Sequence, residues 1–294
     1  MKIPLVSVIM PVYNLENFVK EAIESILHQS YPNFEFIIIN DGSTDNTSSI
    51  IKLEEDPRII YIDKPVNRGN YACRNEGCRL AKGKYICVMD GDDIAISNRL
   101  ERQVEIMEAG PEILAMGTDF EFINGTICRK PKEYPLLKTL LLHNNMFLHP
   151  SLIIKKEVLL QVGYYDEEYY YASDYDLMCR IALIGKIINI PDILMRYRLH
   201  EKQISFGQYT KQTFYANQIR LKYLKACGFK LTNETEMYFT KIMTNSRFSD
   251  ADLKKVKRII DSLKKQNKKL NLLDNNLFDQ FVDLTLSQYY LRID

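Results

Sequence analysis

An α/β fold on a largely parallel sheet is what this sequence predicts, and three features predict it. Short continuous apolar runs of strand length alternate with stretches of helical periodicity through roughly the first ninety residues. The runs are apolar at successive positions, as in strands covered on both faces. Three of them end in polar segments, Val12-Tyr13-Asn14, Asp41-Gly42-Ser43 and Asp90-Gly91-Asp92-Asp93. In open parallel sheets, ligands bind beyond the carboxyl ends of the strands.

The elements follow in order. Met1-Lys2-Ile3-Pro4 already enters a strand and carries no signal-peptide pattern. Residues 6–13 form a β-branched, apolar strand ended by Pro11 and its neighbours. Asn14 is a candidate cap for the next helix, where Phe18, Ala22, Ile23, Ile26 and Leu27 recur at helical spacing. Phe34 to Asn40 is a second buried strand, and its polar exit leads to a short helix near 46–55. Ile59 to Ile62 is a third strand. A helix from about Asn70 to Ala81 is closed by Gly83, read as its C-terminal cap. The strand at 84–89 then delivers the aspartate cluster. Such strand–helix alternation implies βαβ units.

Beyond residue 100 the alternation weakens. Ile113 to Gly117 and Phe120 to Cys128 are expected as strands, with Asn124-Gly125 a hairpin signal. A helix starting at Pro135, a strand at 151–154, a helix over Asp174 to Ile184 closed by Gly185, and strands at 187–190 and 193–199 complete this part. From residue 205 the chain becomes Lys-rich and helical. Leu253, Val256, Ile260 and Leu263 line one face, opposed by Lys254, Lys255, Lys257, Arg258, Lys264 and Lys265. The expected organisation is one unit over 1–204 and a helical C-terminal region over 205–294.

A chain of 294 residues, 46% hydrophobic and 26% charged, suits a globular protein able to bury a core without disulfides. The balance of 39 Lys and Arg against 38 Asp and Glu argues neither for nor against a polyanionic partner. Six cysteines with no Cys-x-x-Cys pair read as free thiols of a cytosolic protein. No apolar stretch reaches the roughly 20 residues that span a bilayer. Neither Gly-x-Gly-x-x-Gly nor Gly-x-x-x-x-Gly-Lys-Ser/Thr follows a strand, which excludes those two phosphate cradles.

Three carboxylates in the four residues Asp90 to Asp93 need counter-charge if they are buried. A hard cation such as Mg²⁺ or Mn²⁺ would supply it; a solvated strand-end turn is the plainer reading. Asp92 on a metal, Asp90 on ribose hydroxyls and Asp41 on a pyrimidine imino N–H would together form a nucleotide-diphosphate site. The plainer reading of Asp41 is a helix N-cap.

Val-Ser-Val-Ile-Met-Pro-Val-Tyr-Asn at 6–14, Asn-Asp-Gly-Ser-Thr-Asp at 40–45, Arg74-Asn75-Glu76-Gly77 and Asp90-Gly91-Asp92-Asp93 resemble, in this order, glycosyltransferase family 2. The resemblance covers roughly residues 4–200. It implies the GT-A fold: a Rossmann-like, mostly parallel central sheet flanked by helices, here with a helical C-terminal extension. It also implies transfer with inversion of the anomeric centre. Asp41 would meet the nucleobase, with Pro11, Tyr13 and Glu16 forming its pocket. Asp90 would bind ribose, Gly91 would permit close backbone approach, and Asp92 would ligate Mn²⁺ or Mg²⁺. Arg74 and Asn75 would order the site or touch the sugar diphosphate. Ala172-Ser173-Asp174-Tyr175-Asp176-Leu177 stands where the family carries its base, making Asp174 the match, with Ser173 in place of a common Glu. Tyr197-Arg198-Leu199-His200 resembles a further segment and makes His200 a candidate metal or diphosphate ligand, although a lone histidine is commonly structural.

The implied partners are a UDP-sugar donor and a glycan or lipid-linked acceptor, with no nucleic acid. The tyrosines at 164–165 and 169–171 and His149 flank the proposed base, as acceptor surface or as plain packing. The basic helix near 251–269 is open to two readings, a solvated face or a contact with the inner face of a membrane. Self-association is left open. A sugar-phosphate nucleotidyltransferase and an inactive sugar-nucleotide-binding scaffold stand as alternatives to the transferase.

Overall fold

The computed structural model describes residues 4–201, 203, 208–244 and 248–290, with residues 250 and 286–290 described as backbone only. Met1 to Ile3 and the expected boundary at 204/205 lie outside the described residues. The first part runs β1 (Val6–Val12), α1 (Val19–Leu27), β2 (Phe34–Asn40), α2 (Thr47–Ile51), β3 (Ile59–Asp63), α3 (Asn70–Leu80) and β4 (Tyr85–Val88). It continues through β5 (Ile94–Ala95), α4 (Arg99–Ala109), β6 (Ile113–Phe122), β7 (Ile127–Cys128), α5 (Tyr134–Leu140), β8 (Ile153–Lys155), α6 (Lys156–Val162), α7 (Ser173–Ile184) and β9 (Lys186–Tyr197). Four helices follow: α8 (Tyr209–Ala226), α9 (Asn233–Met243), α10 (Asp250–Leu270) and α11 (Asn275–Tyr290).

The strands form one sheet in the order β3-β2-β1-β4-β8-β6-β9-β5, with β7 on β6. β3, β2, β1 and β4 are parallel neighbours, and β6 and β9 are parallel as well. β8 enters antiparallel between β4 and β6. Alternate residues of the central strands feed two cores. Ile9, Ile37 and Ile39 face α3, α5 and α7, while Val8, Met10, Phe36 and Ile38 face α1 and α4. All of β1, β2 and β4 is buried, as their unbroken apolar runs require.

Several local expectations need correction. Asn14 does not cap α1, which begins at Val19; it sits in the left-handed region at φ 53° and bonds to the loop after β2. Gly83 is no helix cap either. A Cβ there would stand 2.6 Å from the Ser7 amide, so the position demands glycine for close backbone approach. The two strands expected at 187–190 and 193–199 are one, β9, which carries Pro191-Asp192 through register shifts opposite β6. The strands expected at 113–117 and 120–128 are β6 and the short β7, joined by a turn with Gly125 at φ 84°. The helix α4 went unread in the sequence; its buried side includes Arg99 and Gln103, which blur an apolar periodicity. All six cysteines are free. Among the described residues, no helix is long and apolar enough to cross a membrane.

Candidate functional site

Because β1, β2 and β4 are parallel neighbours, the segments that leave them emerge side by side. The first two are laced together. The Asn14 amide donates to Ser43 Oγ (3.0 Å), and the Thr44 amide donates to Asn14 Oδ1 (2.8 Å). The Leu15 amide donates to Thr47 Oγ1 (2.8 Å), and Asn46 Nδ2 donates to Glu16 Oε2 (2.8 Å). Glu16 thus braces the loop after β2, Tyr13 stands exposed at the rim, and Pro11 is buried within β1. Asp41 is buried, and its two carboxylate oxygens accept from the backbone amides of Arg68 and Gly69 (2.8 Å each). It therefore holds the entry to α3 rather than capping its own helix. Gly69 takes φ 92°, and a Cβ there would collide with the Tyr170 ring, which leans over this corner.

The aspartate cluster follows β4. Asp90 is ion-paired with Arg74, a fully buried cation on α3. Burial pushes the Asp90 carboxyl upward against the pull of Arg74. Asp92 Oδ2 lies 2.8 Å from His200 Nε2. Asp93 is buried; its Oδ1 accepts from the Arg198 amide (2.9 Å), while Oδ2 finds no hydrogen-bond partner among the described residues. Burial, reinforced by Asp92 and Asp90, pushes its carboxyl well up. Gly91 packs so closely on Val12 and Leu15 that a Cβ would fall 2.7 Å from Val12 Cγ1. Ligand-offering oxygens of Asp90, Asp92 and Asp93 lie within 4.8 Å of one another. Three clustered carboxylates, one with an oxygen that finds no partner among the described residues, have the chemistry that suits a hard divalent cation.

Asp174 lies in the first turn of α7. The Tyr71 hydroxyl donates to its Oδ1 (3.0 Å) and Asn145 Nδ2 donates to its Oδ2 (2.8 Å). Burial pushes this carboxyl up, opposed by those two hydrogen bonds. Tyr71 and Arg74 are one helical turn apart on α3, so they share a face. Through them one helix grips Asp174 and Asp90, while its N-terminal turn is held by Asp41. Asn75 turns elsewhere: it brackets Tyr165 by accepting from its amide (2.9 Å) and donating to its carbonyl (2.9 Å). Asp176 also departs from the site, as its position two residues on suggests, pairing with Arg180 (2.7 Å) and Lys222 (2.8 Å).

Sequence reasoning missed Tyr71, Asn145 and Arg198. Arg198 donates from Nε to the Asp92 carbonyl (2.8 Å) and from Nη2 to Glu21 (2.5 Å), tying the end of β9 to the aspartate turn and to α1. Its one sequence signal was its place beside His200. Tyr71 and Asn145 carried none, being an aromatic in a helix and an amide in a loop.

The family model of Glycosyl transferase family 2 matches residues 7–166. An uncharacterized glycosyltransferase of Methanocaldococcus jannaschii is 37% identical over 224 residues, covering 72% of this chain and 77% of the relative. One from Haemophilus influenzae is 37% identical over 237 residues, covering 74% and 72%. Among solved structures, S. aureus TarS 1–349 in complex with UDP-GlcNAc superposes with a TM-score of 0.66 at 17% identity, over 98% of this chain and 93% of that one. The mannosyltransferase PcManGT from Pyrobaculum calidifontis, in complex with GDP-Man and Mn²⁺, gives 0.59 at 19% identity, over 100% and 77%.

Proposed function

The chain belongs to glycosyl transferase family 2 and is a glycosyltransferase, and from that premise we propose that it is a metal-dependent, inverting enzyme. It transfers a sugar from a nucleotide-diphosphate donor, a UDP-sugar, to a hydroxyl of a glycan or lipid-linked acceptor in surface polysaccharide synthesis. Support for a nucleotide-sugar donor comes from the complexes of the structurally similar TarS and PcManGT. The observation that carries the reading is the helix α3, whose Tyr71 and Arg74 hold Asp174 and Asp90 on one side while Asp41 holds its start.

In this reading Asp41 accepts from the nucleobase imino group through lone pairs left free by the two backbone amides. Pro11, Tyr13 and Glu16 shape the walls of that pocket. Asp90 accepts from ribose, and its ion pair with Arg74 favours the ionised form against burial and aims it. Gly91 lets the aspartate turn lie flat on the end of β1. Asp92 and His200 would hold Mn²⁺ or Mg²⁺, which when bound supplies positive charge for the departing diphosphate. Asp174 takes the proton of the acceptor hydroxyl as its oxygen attacks the anomeric carbon, and the electron pair of the broken bond leaves with the diphosphate.

The test is nucleoside diphosphate release from a panel of sugar nucleotides with Mn²⁺. We expect Asp92→Ala to abolish it. Asp174→Asn should keep nucleotide binding by calorimetry yet lose transfer by about 10²–10⁴-fold. Transfer at the parental rate in Asp174→Asn would remove Asp174 as the base. Pyrophosphate exchange with a nucleoside triphosphate would instead indicate a nucleotidyltransferase, and binding without turnover a scaffold.

A further inference from the structure

The charge of this chain is unevenly divided. Residues 1–204 hold 23 Lys and Arg against 29 Asp and Glu, while residues 205–294 hold 16 against 9. Much of the C-terminal excess sits on α10. Its inward seam is Val256, Ile260, Leu263 and Asn267, all buried. At 3.6 residues per turn, Lys254, Arg258, Lys265 and Lys269 fall directly opposite that seam, and all four are exposed. They form a line parallel to the helix axis, pointing straight out of the protein. Lys257 and Lys268 flank it, exposed as well.

The acidic groups nearby do not cancel this stripe. Lys264 pairs with Asp283, and Lys255 and Lys268 stand 3.9 Å from Glu234 and Asp279. Among the described side chains of α10, Asp261 is the carboxylate nearest the outward line. Lys254, Arg258, Lys265 and Lys269 have no carboxylate at ion-pair distance among the described residues.

We propose that this face of α10 docks the protein on a membrane rich in anionic phospholipid. A straight cationic line on a convex helix meets a plane with all its charges at once. It offers no groove to follow a bent polyanion, and residues 249–277 contain no Phe, Tyr or Trp on which bases would stack. The same lack of aromatics means the helix rests on the headgroups and does not insert, so the attraction is Coulombic and screened by salt. The proposal is independent of the catalytic assignment, because it concerns a helix remote in sequence from every residue of the candidate site.

Co-sedimentation of the full chain with vesicles tests it. The protein should pellet with phosphatidylcholine–phosphatidylglycerol vesicles at low salt, remain free with phosphatidylcholine alone, and be released by high NaCl. Each cation near an anionic surface strengthens binding by about fivefold, so Arg258→Glu with Lys265→Glu should weaken it by more than about 25-fold. Lys20→Glu with Lys82→Glu, the same change in net charge on another surface, should leave it nearly intact. Circular dichroism would verify that both variants fold. Failure of the parent to bind anionic vesicles would overturn the proposal, as would equal losses in the two double variants. Tighter binding to a short DNA duplex than to the vesicles, lost in Arg258→Glu with Lys265→Glu, would make the stripe a nucleic-acid face instead.

Discussion

Asp174 is a carboxylate with both oxygens already engaged, and that sets its titration. Burial disfavours its charge, while Tyr71 and Asn145 favour it. A base must be ionised to act, so activity should fail as pH drops through a pKa above the ordinary aspartate range. Tyr71→Phe removes one donor to the ionised form, which raises that pKa further. The acid limb of kcat/KM against pH should therefore move to higher pH, with activity recovered on the alkaline side. A uniform loss at every pH with an unmoved limb would reduce Tyr71 to a packing role. Asp41, Asp90 and Asp92 could be singled out in the sequence because three polar segments fall together at the ends of apolar strand runs, and Asp174 because its segment resembles the family's. Tyr71 was not, because it meets Asp174 across 103 residues of sequence. Only the sheet brings the two together.

At the scale of elements, α3 connects the parts of the site, and its fit against the sheet depends on Gly77. A Cβ there would lie 2.6 Å from Ile9 Cγ2 and 3.3 Å from Ile39 Cδ1. The helix can thus lie flush on β1 and β2. Gly77→Val should lift it, costing about 1–3 kcal/mol of stability by chemical denaturation and weakening nucleotide binding in parallel. Intact binding at reduced stability would mean that the site tolerates displacement of α3. The parallel core β1, β2 and β4 was readable because strands buried on both faces leave continuous apolar runs. Where burial is mixed, the reading failed: α4 buries Arg99 and Gln103 beside Leu100, Val104 and Met107. The Arg99 guanidinium finds its acceptors in Gln103 (3.1 Å) and the Val88 carbonyl (2.8 Å), neither adjacent in sequence. β9 was split in two because Pro191 reads as a break, yet a strand with register shifts can carry a proline.

On the scale of the whole molecule, the helical C-terminal region and the sheet contribute to one hydrophobic cluster. It runs from Ile9, Ile37 and Ile39 through Leu177 and Ile181 to Ile219, Tyr223 and Phe278. Polar bonds reinforce the junction: Lys222 to Asp176 (2.8 Å), Arg220 Nε to the His143 carbonyl (2.6 Å), and the Tyr223 hydroxyl to the Lys138 carbonyl (2.9 Å). The loop after His143 carries Asn145 to Asp174, so α8 also steadies the candidate base from behind. A chain ended at residue 204 would expose the apolar side chains that α8 covers and leave Asp176 with half of its counter-charge. Burying an aliphatic or aromatic side chain is worth about 1.5–3 kcal/mol, and Ile219, Tyr223 and Leu224 are all fully or almost fully buried. At about 2–4 °C per kcal/mol for a domain of this size, the truncated chain should melt more than about 10 °C below the full one, or fail to stay in solution. Differential scanning calorimetry of the two chains checks this. An unchanged melting temperature in the truncated chain would mean that residues 1–204 form a self-sufficient domain and that α8 to α11 are an appendage on it.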